Sequence, residues 1–258
     1  MPRTPARLLT RSALPVLSAA ALLTATACTA AGTPTAHKTR ASARPSAASS
    51  PPAPRVLTQA EAQAALVTAA DLGEPWAPTQ GAATWRDGLL KATTESPACR
   101  RLLDALYADD LFGGDTGARA VTGLDDPLDQ TQLRYQVLAL STPAVDRTLG
   151  WLQSLPRDCG TFTAVTAHGA VQGVTVREAD LPRIGDARQG LRVTLSSETS
   201  DGDTTVLTMD VAAVRVGDDT IAVSLGGLGD VSPDATRAAV ETGVRRLAEV
   251  RKSSRAQI

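Results

Sequence analysis

Ser224 lies in Ala222-Val223-Ser224-Leu225-Gly226, a run close to the Gly-x-Ser-x-Gly turn on which hydrolases present a nucleophilic serine. That chemistry needs a base within hydrogen-bond reach of the hydroxyl, and beyond residue 56 the only histidine is His168. The run lacks the first glycine, no helix start follows closely, and His168 precedes the serine, although triads do occur in more than one chain order. Ser224 therefore reads as a half-buried strand residue, with a secreted serine hydrolase using Ser224 and His168 as the alternative. Just after it, Gly226-Gly227-Leu228-Gly229 offers backbone N–H groups to an anion but has no lysine partner and no dinucleotide spacing. A flexible connection is expected there. Acidic groups at Asp109-Asp110, Asp125-Asp126-x-x-Asp129, Asp201-x-Asp203 and Asp218-Asp219 carry oxygen ligands, yet none follows a twelve-residue calcium loop with its closing Glu. They read as solvated turns. With one histidine beyond residue 56 and no Cys-x-x-Cys there is no transition-metal set, so the sequence predicts no metal, no cofactor and no catalysis.

The chain's three cysteines are Cys28, Cys99 and Cys159. Cys28 closes a distinctive stretch. Arg3, Arg7 and Arg11 precede the apolar run Ala13–Cys28, whose last residues before the cysteine are the small Ala25, Thr26 and Ala27. The run is too short to span a hydrocarbon core of ~30 Å comfortably, and its flanks suit cleavage. In these residues the chain resembles bacterial lipoprotein precursors, which are cut before a cysteine that receives diacylglycerol. The resemblance implies a signal peptide over 1–27, lipidation of Cys28, and residence on the outer face of the cell membrane. Ala25-Thr26-Ala27 also satisfies the A-x-A rule of ordinary secretion, which is the alternative. If Cys28 carries lipid, Cys99 and Cys159 are left as a pair, and in an oxidising compartment that pair is expected as a disulfide.

Charge separates the chain into two parts. Residues 1–56 hold seven of the 26 Lys and Arg and no acid, so the remainder sets 19 basic residues against all 27 acidic ones. A domain of that sign repels phosphate backbones, which excludes a nucleic-acid partner. Residues 28–56 are Ala-, Ser-, Thr- and Pro-rich, with too little apolar surface to offset chain entropy, and read as a disordered tether.

The elements that must position any site lie in 57–252, with 253–258 as a tail. Thr58 with Glu61 forms a capping box for a helix carrying Ala62, Ala65, Leu66 and Ala69 and ending at Asp71-Leu72-Gly73. Ser96 caps a second helix with Cys99, Leu102, Leu103 and Leu106 on one face, and Thr142 caps a third that Pro156 is expected to stop. Strands are predicted over 118–122 and 132–140, separated by a turn at Gly123–Asp129. Five more follow over 161–165, 170–176, 191–197, 204–216 and 220–225, the last three as a meander. Ser232 and Pro233 open a closing helix with Ala239, Val240, Val244 and Leu247 inward. Helices first, then antiparallel strands, then a helix predict an α+β fold: one domain with an antiparallel sheet flanked by helices.

Several short motifs carry a second resemblance: the Leu57–Trp76 layout, Cys99 after its helix cap, Trp151 ahead of Cys159, and Val-Arg-Val-Gly-Asp-Asp at Val214–Asp219. Together with the closing helix they make the chain similar to the PknH-type extracellular sensor domain and its lipoprotein relatives, although this chain has one candidate disulfide where that family usually has two. The resemblance implies a non-catalytic sensing or binding role toward a small ligand or an envelope protein. The expected protein is a monomer whose membrane contact is a lipid anchor. A ligand cleft lined by Val, Leu and Trp is expected between sheet and helices, and an envelope scaffold without a small ligand is the remaining alternative.

Overall fold

A computed structural model describes residues 56–113, 117–199 and 201–256, with the side chain of Arg255 left aside. Ala13–Cys28 and the tether up to residue 55 lie outside the described residues. So does the signal-peptide reading that rests on them. Among the described residues, no helix is long and apolar enough to cross a membrane.

The helices are α1 (Gln59–Ala64), α2 (Ala69–Leu72), α3 (Pro97–Ala108), α4 (Thr142–Asp158) and α5 (Pro233–Arg255). The strands are β1 (Ala77–Pro78), β2 (Ala92–Thr93), β3 (Arg119–Asp126), β4 (Thr131–Ala139), β5 (Thr161–Thr166), β6 (Val171–Glu178), β7 (Ala187–Glu198), β8 (Thr204–Val216) and β9 (Asp219–Leu228). They form one sheet in the order β1-β3-β4-β9-β8-β7-β6-β5-β2, with every neighbouring pair antiparallel. The α+β architecture is thus present, including the β7-β8-β9 meander.

Both faces of the sheet are covered. Leu102, Leu103 and Leu106 of α3 and Val145, Leu149, Leu152 and Leu155 of α4 pack on one face against Val174, Leu191, Val193, Leu207 and Met209. On the other, Ala62 of α1 and Ala239, Val240 and Leu247 of α5 pack against Leu133, Tyr135, Val214, Ile221 and Val223. Period-two alternation assigns each strand residue to one layer, so in β9 Ile221, Val223 and Leu225 face α5 while Ala222 and Ser224 face α3. Each fully buried Leu or Val contributes about 1.5–3 kcal/mol, which is how a chain poor in aromatics builds two cores.

Several boundaries differ from the sequence expectation, each for a local reason. The first helix is interrupted after Ala64 and restarts at Thr68, where the Asp71 carboxylate accepts from the Thr68 amide at 2.7 Å and hydroxyl at 2.6 Å. The turn between β3 and β4 is shorter than Gly123–Asp129, because Gly123 to Asp126 pair with β4 and the Asp126 carboxylate then accepts from the amides of Leu128 and Asp129. Ser141, not Thr142, occupies the cap position of α4. Pro156 does not end α4: it removes one amide from the last turn, but the Cys159 amide still donates to the Leu155 carbonyl at 2.7 Å. Gly226 and Gly227 are paired strand residues rather than a flexible connection, and a side chain at Gly226 would run into Met209 and Trp85. The closing helix runs to Arg255, into the expected tail.

Candidate functional site

The serine and histidine weighed as a hydrolytic pair are far apart. Ser224 is in β9, and His168 is exposed in the β5–β6 turn, four strand positions across the sheet. At the usual strand spacing that is about 19 Å, well outside proton-transfer range. Ser224 is committed elsewhere. Its hydroxyl donates to Asp109 Oδ1 at 3.1 Å. Asp109 takes a left-handed conformation (φ 51°) just beyond α3, which turns its side chain over the sheet. There Arg86 Nη2 meets Oδ2 at 2.8 Å, Arg134 Nε approaches at 3.4 Å, and Gln136 Nε2 donates to the Asp109 carbonyl at 2.6 Å. This knot joins the end of α3 to β4 and β9. It holds a carboxylate in place and leaves no free nucleophile, so the serine-hydrolase arrangement is not formed.

The acidic groups are not uniformly solvated turns, as the sequence reading had them. Asp126 and Asp219 are buried, the Asp109 side chain is 9 % exposed, and all three are used as internal acceptors. Asp219 accepts from Nε and Nη2 of Arg251, tying the start of β9 to the end of α5, and Glu61 accepts from Ser254 beside it. Burial pushes the Asp219 carboxyl up, and the hydrogen bonds from Arg251 only partly oppose that. Among the described residues no group of His, Cys, Asp and Glu could hold a metal ion.

Cys99, in the first turn of α3, is bonded to Cys159 at the end of α4, with an S–S distance of 2.10 Å and a Cα–Cα distance of 5.6 Å. Both are buried in the core beneath these helices. The Arg101 guanidinium stacks 4.0 Å from the Trp151 ring centroid across the same helix pair. Cys28 lies outside the described residues.

Between α3 and the sheet, where the sequence reading expects a ligand cleft, lies a cavity of about 10 Å³ lined by Ala105, Leu106, Leu111, Ala222 and Val223 with Asp109, Gln136 and Ser224, room for about one water. A polar cavity of about 200 Å³ opens at the N-terminus of α5 instead, lined by Glu178, Asp180, Arg192, Asp210, Thr236 and Arg237 among others. Its floor is a cross-strand pair: Arg192 in β7 stands directly opposite Asp210 in β8 and donates to both carboxylate oxygens, at 2.7 and 2.8 Å. Those bonds hold Arg192 even more firmly protonated. Its Nη2 also donates to the Val231 carbonyl at 2.7 Å, which seats the loop leading into α5. On the helix side, Ser232 makes no side-chain cap, so the Asp234 and Ala235 amides have neither an intrahelical nor a capping acceptor. Thr236 is 4 % exposed and its hydroxyl has no hydrogen-bond partner.

No family model matches the chain, and no curated protein does. The chain is similar to the crystal structure of the extracellular domain of PknH from Mycobacterium tuberculosis, with 15 % identity, coverage of 76 % of this chain and 98 % of that one, and a TM-score of 0.47.

The sequence reading missed this cavity. A signal was present, because Arg192 and Asp210 interrupt otherwise apolar strands at Leu191-Arg192-Val193 and Met209-Asp210-Val211. What the sequence lacked was the register that puts them face to face under a helix start.

Proposed function

We propose that this protein is exported by the Ala13–Cys28 segment, lipidated at Cys28, and held at the outer face of the cell membrane, where its α+β domain acts as a non-catalytic binding or sensing module. The observation that carries the reading is the Cys99–Cys159 disulfide. A buried disulfide between two helices suits an oxidising compartment and is rare in a reducing cytosol. The leader, the small residues before Cys28 and the Ala/Ser/Pro-rich tether all agree with display on a membrane surface. The commitment of Ser224 to Asp109, remote from His168, favours binding over hydrolysis. The partner is a small ligand or an envelope protein, engaged by a monomer.

Metabolic labelling with radioactive palmitate in a bacterial host, followed by membrane fractionation, tests the anchor. Wild type is expected to be labelled and sedimented with membranes, and Cys28→Ala to be unlabelled and released. A Cys28→Ala protein that stays equally membrane-bound overturns the anchor, and an unlabelled wild type processed after Ala27 and released to the medium replaces it with soluble secretion.

A further inference from the structure

We propose that the cavity at the N-terminus of α5 binds a small zwitterion carrying a carboxylate and an ammonium group close together, the chemistry of a free α-amino acid. The proposal rests on the reading of this domain as a binding module and names the class of ligand.

The cavity has two unlike walls. On the helix side, beside Pro233 at the uncapped N-terminus and positive end of the α5 dipole, is an unused donor, the hydroxyl of Thr236. An unpaired buried hydroxyl is costly, and an acceptor oxygen brought beside it recovers that cost. Arg192 and Arg237 add positive charge. Arg192 is held by Asp210, with Asp230 3.5 Å from its Nη1, and Arg237 is held by Asp234 at 2.8 Å. This wall suits a carboxylate.

The opposite wall carries unused acceptors. Glu178, at the end of β6, and Asp180, just beyond it, line the cavity with exposed carboxylates that have no hydrogen-bond or ion-pair partner among the described residues. In this stretch the Ala179 amide donates to the Gly190 carbonyl at 3.1 Å and the Asp180 carbonyl accepts from Arg237 Nε at 3.4 Å, which leaves both carboxylates unengaged. Among the charged groups that line the space, Glu178, Asp180 and Asp210 outnumber Arg192 and Arg237. A simple anion therefore enters against net negative charge, and a simple cation leaves the Thr236 hydroxyl unused. A ligand bearing both groups satisfies both walls.

Size agrees. At about 200 Å³ the cavity is smaller than the roughly 300–1,000 Å³ of sites for drug-sized ligands, and it admits a molecule of amino-acid dimensions. Ala179, Leu181, Val211 and Pro233 give its remaining surface an apolar part against which a short side chain can rest.

The test is isothermal titration calorimetry of the full chain in a non-ionic detergent. Titrants are the common L-amino acids and D-alanine, with acetate and methylammonium as the separated halves. At least one amino acid is expected to bind with a Kd of about a millimolar or tighter, and acetate or methylammonium at least about tenfold more weakly. Thr236→Val keeps the shape and removes a hydroxyl that has no partner, so the variant should fold as stably as wild type and yet bind at least about tenfold more weakly. A Glu178→Gln, Asp180→Asn double variant should lose amino-acid binding and keep the weak acetate response. Binding by none of the amino acids, binding of acetate equal to that of the best one, or binding unchanged by Thr236→Val each overturns the assignment. These outcomes are separate from the palmitate experiment: a labelled, membrane-bound chain that binds no amino acid loses this ligand class while its display at the surface stands.

Discussion

The Ser224 hydroxyl donates to the Asp109 carboxylate at 3.1 Å, across 115 residues of sequence, and this bond gives the serine a structural role. Asp109 is the centre of the knot and Ser224 its weakest spoke. Ser224→Ala should cost only about 1 kcal/mol, the net worth of one hydrogen bond. Asp109→Ala, by contrast, removes the carboxylate from the largely buried Arg86 guanidinium, which keeps the Leu106 and Tyr107 carbonyls, and should cost about 2–3 kcal/mol. Urea unfolding of the two variants checks the ranking. If Ser224→Ala proved as damaging as Asp109→Ala, the serine would have a role beyond this bond.

The disulfide links residues 60 apart and closes the loop containing β3, β4 and most of α3 and α4. In the chain-entropy model such a loop is worth about 4 kcal/mol, held by restriction of the unfolded chain. A Cys99→Ala, Cys159→Ala double variant should therefore melt roughly 8–16 °C lower, at 2–4 °C per kcal/mol for a domain of this size. Circular dichroism at the melting transition checks it. Equal melting with and without the bond would show that helix packing alone holds α3 to α4.

Asp71 should contribute to acid sensitivity. Burial pushes its carboxyl up, but the Thr68 hydroxyl and amide and the Arg246 guanidinium outweigh that and hold the pKa below the ordinary value. A carboxyl lowered on folding adds stability that is complete above the unfolded pKa, near 3.9, and is lost as pH falls through the folded value. Asp71→Asn should consequently unfold more easily at neutral pH, while the difference from wild type shrinks toward zero below about pH 3. Denaturant midpoints measured at pH 7 and in acid decide it: a difference independent of pH would mean that Asp71 acts through packing and not through its charge.

Much of the architecture was legible in the sequence because it depends on local signals. The Thr58–Glu61 box, the Ser-Pro starts of α3 and α5 and the Val- and Thr-rich run of β8 each report a local preference. Errors fell where tertiary contacts overrode such signals. Pro156 is a breaker by local rules, yet α4 continues past it, with Leu155 buried in the core and Cys159 bonded to α3. Gly226 and Gly227 look like a hinge, yet β4 and β8 hold them on both sides. The cavity at α5 was illegible for a related reason, since Arg192, Asp210 and Thr236 come together only through strand register and helix docking.

Gly243 tests that balance between local and tertiary effects. It lies in the middle of α5, where replacing Gly by Ala usually stabilises a helix by about 1 kcal/mol. A Cβ at this position would collide with the buried Tyr135 ring, coming within 2.6 Å of its Cε2 and against its hydroxyl. That ring lies in the core beneath α5, and its hydroxyl reaches only the Ala65 carbonyl at 3.5 Å. It has little room to retreat, so overpacking should exceed the propensity gain and Gly243→Ala should lose about 1–3 kcal/mol. Gly150 in α4 is the matched control, because nothing lies within 4 Å of a Cβ placed there and the residue is exposed. Gly150→Ala should gain up to about 1 kcal/mol. Opposite signs in parallel urea titrations are the expected result. A stabilised Gly243→Ala protein would mean that α5 sits farther from β4 than the close approach of Tyr135 requires.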